Sequence, residues 1–151
     1  MAIARGSGTE IIRSIHLENV NSTARPLIVG VQHHIYTVLS VICFAQATES
    51  DAANYITMYL QGYDSLGGTT DQPIYIFQQD MTAPNTFVWN DKFSFNGAEP
   101  ANFTGPMDDA TKQDAIADQG STPVAQVLYI DAETSGDNFD VHCTFIDQNN
   151  A

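Results

Sequence analysis

Three sets of side chains in this 151-residue sequence could carry chemistry: four histidines with two cysteines, a run of aspartates, and a stripe of tyrosines. His33 and His34 are adjacent, and on a strand neighbouring side chains point to opposite faces, so the pair cannot grip one ion without distortion. They read as strand-end residues. His16, His142, Cys43 and Cys143 are zinc-ligand types, but neither a Cys-x2-Cys nor a His-x3-His spacing joins them. Asp108, Asp109, Asp114 and Asp118 recur at helical spacing. Glycoside hydrolysis needs only two carboxyls roughly 5 to 10 Å apart in a cleft, yet carboxylates at that spacing are the mark of a solvated helix face. The alternating aspartates of an EF-hand are missing, as are the nucleophile-elbow, phosphate-loop and dinucleotide motifs. No catalytic residue, cofactor or metal ion is therefore assigned, and the chain reads as a non-enzyme.

The tyrosines are different, because they do their work by contact. Tyr55, Tyr59, Tyr63 and Tyr75 fall where they could line the outward face of one hairpin. Tyrosine supplies binding area at low entropic cost. Cross-strand aromatic pairs that merely stabilise a sheet are the competing reading, and an aromatic-lined sugar site is a narrower form of the first.

Period-two patterns dominate the elements that must position these groups. In "EIIRSIHLENV", Ile11, Arg13, Ile15 and Leu17 share one side and Ile12, Ser14 and His16 the other. "LIVGVQHH" reads as a second strand in which Gly30 marks a bulge or a close backbone approach. "YTVLSVICFA" sets Val38, Ser40, Ile42 and Phe44 against Leu39, Val41 and Cys43; both sets are largely apolar, which predicts a central strand covered on both faces. A loop of roughly six residues then turns the chain back as a hairpin into Tyr55–Gln61, whose aliphatic set Ile56, Met58 and Leu60 should face inward. The glycine pair in "DSLGGTTDQP" predicts a hairpin into "PIYIFQQ". "TFVWNDKFSF" reads as a strand broken near its Asn-Asp-Lys, with Phe87 and Trp89 opposite Val88. "PVAQVLYID" and "NFDVHCTFID", joined by the Gly-containing turn "AETSGD", close the chain as a strand pair, the latter alternating Phe139, Val141, Cys143 and Phe145 with Asp140, His142 and Thr144.

Seven or eight such strands predict an all-β fold, an antiparallel β-sandwich or jelly roll. One long irregular excursion, about 96–122, has room for a short helix between Pro106 and Gly120. Residues 1–10 read as a flexible arm, and 11–151 as a single β-sandwich domain.

Composition narrows the partners. Eighteen acidic residues against five Lys and Arg leave a formal net charge of -13, which disfavours nucleic acid and anionic membranes. No apolar run approaches a membrane span. The opening residues lack a signal-peptide pattern, so folding in a reducing cytoplasm is expected, with Cys43 and Cys143 as buried thiols.

The succession "YTVLSVICFAQATESDAANYITMYL", "PIYIF", "APNTFVWNDKFSF" resembles the small β-sandwich proteins of tailed-phage virions over roughly residues 27–95. In size and acidity the chain is similar to the knob-like decoration proteins on marine cyanophage heads. Where such proteins carry a Gly-Asp pair after the Trp-containing strand, this chain has "NGAEP". The resemblance implies a capsid decoration protein, assembled in the host cytoplasm and bound outside the head to the major capsid protein or other virion proteins. A homo-oligomer is compatible with it. The capsid-facing end would hold Arg5, Ile11, Ile12, Arg13 and Ile15. The alternatives are a tail-fibre or baseplate module that binds host glycan, and a carbohydrate-binding β-sandwich domain.

Overall fold

Alternating apolar residues bury one side of a strand and wet the other, and two sheets that share their dry sides satisfy every strand at once. The computed structural model describes residues 8–50, 53–64, 69–100 and 123–149. These form β1 (Thr9–Val20), β2 (Arg25–Val29), β3 (His34–Ala47), β4 (Tyr55–Asp64), β5 (Thr69–Asp80), β6 (Thr86–Trp89), β7 (Phe93–Asn96), β8 (Ala98–Pro100), β9 (Pro123–Ala125), β10 (Val127–Ala132) and β11 (Asn138–Asn149). One sheet runs β1-β11-β3-β6, with β7 also paired to β3; the second runs β2-β10-β4-β5. All pairings are antiparallel, as an all-β sandwich requires. No helix among the described residues is long and apolar enough to cross a membrane.

The core lies between the sheets. The first sheet contributes Val20, Tyr36, Val38, Val41, Cys43, Phe139, Val141, Cys143 and Phe145; the second contributes Leu27, Ile28, Ile56, Met58, Leu128 and Ile130. Each large apolar side chain withdrawn from water contributes about 1.5–3 kcal/mol before entropy is counted. Phe77, Phe87, Trp89 and Phe93 close one flank with edge-on and tilted ring contacts at 5.2 to 6.3 Å. The inward sets expected for β4 and β11 face this core; on β1, Leu17 is buried and Ile15 packs against the core, while Ile11 and Arg13 on the same side stay exposed. β1 begins at Thr9, so Thr9 and Glu10 belong to the sheet and not to the arm.

Four features depart from the sequence reading. "LIVGVQHH" is not one strand: β2 stops at Val29, and His33 adopts a left-handed φ of 67° in the turn before β3. β3 and β4 do not form a hairpin, because β3 lies in the first sheet and β4 in the second. The same is true of β10 and β11. β3 is central in its sheet but covered on one face only. Pairing Ser40 with Thr144 and Val38 with Phe145 leaves Leu39 as an extra residue, a bulge that puts Val38 on the same inner face as Val41 and Cys43. Ile42 and Phe44 are left facing outward and exposed.

The stretch from 96 is not wholly irregular either. Ala98–Pro100 pairs with Pro123–Ala125 as a two-stranded ribbon. The helix expected between Pro106 and Gly120, its aspartates and the Gly67–Gly68 turn lie outside the described residues.

Candidate functional site

Two outer faces are available to a partner, and their chemistry is opposite. On the second sheet, the register sets Tyr129 of β10 beside Tyr59 of β4 and Tyr59 beside Tyr75 of β5. The Tyr59 and Tyr129 rings are stacked with centroids 5.4 Å apart; Tyr59 and Tyr75 are 5.7 Å apart and tilted by 56°. The next row along the strands holds Asp131, Thr57 and Gln78. Thr57, Tyr59, Tyr75, Gln78, Asp131 and Glu133 enclose an open depression of about 350 Å³. Thr57, only 6% exposed, forms its floor.

Burial holds the Asp131 carboxyl above its ordinary value, and the neighbouring charge of Glu133 pushes it the same way. The Tyr59 phenol is raised first by burial, then by Asp131, Tyr129 and Tyr75. Tyr59 and Tyr75 belong to the stripe read from the sequence, whereas Tyr63's side chain lies outside what is described. Tyr129, Asp131 and Glu133 were not singled out there, since only strand pairing brings β10 beside β4; the alternation of Tyr129 and Asp131 within "VLYID" was the available signal.

On the first sheet the outward residues are Ile12, Ser14 and His16 of β1, His142, Thr144 and Ile146 of β11, Ile35, Thr37, Ser40, Ile42 and Phe44 of β3, and Val88 of β6. Ile12 is 72% exposed, Val88 53% and Ile42 39%. His16 and His142 face one another at 5.8 Å. Charged groups are few: Glu10 and Glu18 lie toward the ends of β1, and Asp140, directly opposite Phe44, accepts a hydrogen bond from the Gln46 amide. For a chain of net charge -13, this face is markedly charge-poor.

The expected contact residues part company between two surfaces. Ile12 stands on the outer face, while Ile11, Arg13 and Ile15 point to the opposite side of β1. Arg5 lies outside the described residues. Arg13 Nη1 donates to Asp147 Oδ2 at 3.0 Å, and its guanidinium sits 5.5 Å from the centre of the Phe145 ring. His34 Nδ1 lies 2.6 Å from Asp147 Oδ1. Arg13 and Ile15 also border an apolar groove of about 370 Å³ with Leu27, Ile28, Val31 and Tyr36. Among the described residues no group of three or more His, Cys, Asp or Glu is placed to hold a metal ion.

Neither a protein-family model nor a curated protein sequence matches this chain. Two solved structures show a distant similarity to this chain. One is from "Bacillus endospore appendages", described as "a novel family of disulfide-linked pili": it is 12% identical, with a TM-score of 0.41, over 100% of this chain and 97% of that one. The other is a chain of the T13 IBDV viral particle, 8% identical with a TM-score of 0.41, over 99% of this chain and 37% of that one.

Proposed function

We propose that this chain is a non-enzymatic structural protein that docks on a larger protein shell through the outer face of its first sheet, as a decoration protein on the outside of a phage head. The observation that carries this reading is the exposed cluster of Ile42, Phe44 and Val88, with Ile12 farther along the same charge-poor face of an otherwise strongly acidic molecule. A monomer gains nothing from wetting such a set, and an exposed apolar patch rimmed by polar groups is the usual form of a protein-binding surface. With that face down, the tyrosine and carboxylate face of the second sheet points to solvent. Its negative charge then keeps decorated particles apart.

Docking places the contact on the sheet face, with Ile12 shared between this surface and the end of β1 expected from the sequence. The test is to mix the purified protein with emptied tailed-phage capsids and image the particles. Ordered added density on the shell is expected from the wild type, and its loss from the double variant Ile12→Asp, Val88→Asp. Both positions are exposed, so the variant should keep its circular-dichroism spectrum. A bare shell with the wild type, or decoration untouched by the double variant, would overturn the reading.

A further inference from the structure

The opposite face supports an inference that does not rest on docking. We propose that the depression bounded by Tyr59, Tyr75, Asp131 and Glu133 is a binding site for an organic ammonium ion. Three observations meet there. First, the Tyr59 and Tyr75 rings are tilted by 56° at 5.7 Å, so they form two non-parallel walls. The face of an aromatic ring attracts a cation through its quadrupole. Tyr129, stacked on Tyr59 at 5.4 Å, backs the first of these walls.

Second, two carboxylates stand at the same depression, and no cation answers them among the described residues. Arg13 is committed to Asp147, and Arg25 donates from Nη1 to the Glu18 carbonyl. Lys92 is on the connection between β6 and β7, in the other sheet. Third, the floor is the short, buried side chain of Thr57 and the remaining wall is the neutral amide of Gln78. The hollow is therefore open at about 350 Å³, with room for a head group and no positive charge to repel it.

A neutral sugar would also stack on tyrosine. Sugar hydroxyls, however, need donors as well as acceptors from the protein, and this site is weighted toward acceptors: two carboxylates against one amide and a few hydroxyls. An ammonium group satisfies that imbalance directly, with its charge on the carboxylates and its methyl or methylene surface on the rings. The same chemistry is offered by a quaternary head group such as choline and by a primary alkylammonium such as a lysine side chain.

The experiment titrates the full chain at low ionic strength with choline chloride, n-butylammonium chloride, the neutral choline isostere 3,3-dimethyl-1-butanol and sodium chloride, following tyrosine ring signals by NMR. Saturable shifts with choline or butylammonium are expected, the tighter of the two identifying the kind of head group. The isostere and sodium should give none. Tyr59→Phe should keep binding, because the ring face suffices, whereas Tyr59→Ala and Asp131→Asn should weaken it at least fivefold while the backbone spectrum stays native. Lowering the pH should weaken binding as the Asp131 carboxyl takes up its proton; the titratable groups facing it are Glu133, Tyr59, Tyr75 and Tyr129. Equal binding of the isostere, saturation by a neutral methyl pyranoside in place of the cations, or no saturable shift with either cation would overturn the assignment.

Discussion

Asp147 is 2% exposed, and its two carboxyl oxygens are met by Arg13 Nη1 and His34 Nδ1. A buried carboxylate without such partners would be expensive to maintain. Replacing Asp147 by Ala strips Arg13 and His34 of their shared acceptor, but Arg13 is half-exposed and water can take up part of the loss. We expect a destabilisation of about 2 kcal/mol, read from the urea midpoint, with Asp147→Asn costing less.

The two thiols make a second prediction at this scale. Cys43 and Cys143 are buried and unbonded, and burial pushes each thiol from 9.0 up to about 12, with the charge of Cys143 adding to the shift at Cys43. An acid that holds its proton more tightly when folded leaves stability intact below the unfolded value. Stability is then lost as pH rises from 9.0 toward 12, at roughly 1.4 kcal/mol per pH unit for each thiol. Urea midpoints at pH 8, 9 and 10 should show the fall above pH 9, and Cys143→Ala should flatten it. Native protein should also leave a thiol reagent unreacted at pH 8 until denaturant is added.

Between elements, a tight junction forms where the end of β2, the β7–β8 join and the β9–β10 join converge. Gly30 donates to the Gln126 carbonyl at 2.8 Å, Gln126 donates to Gly97 at 3.0 Å, and Gly97 donates to His34 at 2.8 Å. A Cβ at Gly30 would overlap the Gly97 carbonyl oxygen and crowd that of Gln126. Both obstacles are backbone, so neither can turn aside. Gly30→Ala should therefore cost about 3 kcal/mol. At Gly62 an added Cβ would meet Gln126 Oε1 at 2.6 Å, the far end of a movable side chain, and Gly62→Ala should cost under about 1 kcal/mol. Thermal or urea unfolding of the two variants side by side checks the contrast. The glycine's close approach was legible in the sequence as an interruption of an apolar strand. Its partners were not, because they lie far along the chain. The bulge at Leu39 was likewise invisible: "TVLSVICF" alternates without a break, and only pairing with the shorter run of β11 forces one residue out of register.

Across the whole molecule, eighteen acidic residues against five basic ones repel one another most in the compact state. Salt should relieve this, since the Debye length falls from about 10 Å at 0.1 M to about 3 Å at 1 M. The thermal midpoint is expected to rise between 0.02 M and 0.5 M sodium chloride; a flat or falling midpoint would show that the charges are already too far apart to matter. Strand content, the inward faces of β4 and β11, the break between β6 and β7 and the buried thiols could all be read from local order, because side-chain alternation is a property of consecutive residues. Which strands share a sheet could not. β3 and β4 are neighbours in sequence and lie in opposite sheets, while β10 joins β4 and β2 from across the chain.

That division runs through the functional reading as well. The sequence by itself determined an acidic, two-layered β protein with a tyrosine-bearing strand pair, because composition and period-two patterning survive without knowledge of any long-range partner. Only the tertiary structure decided that Tyr129, Asp131 and Glu133 join Tyr59 and Tyr75, and that the outer apolar residues of β1, β3 and β6 share one face. Strand order and register are set by the packing of the whole core, and no run of neighbouring residues encodes them.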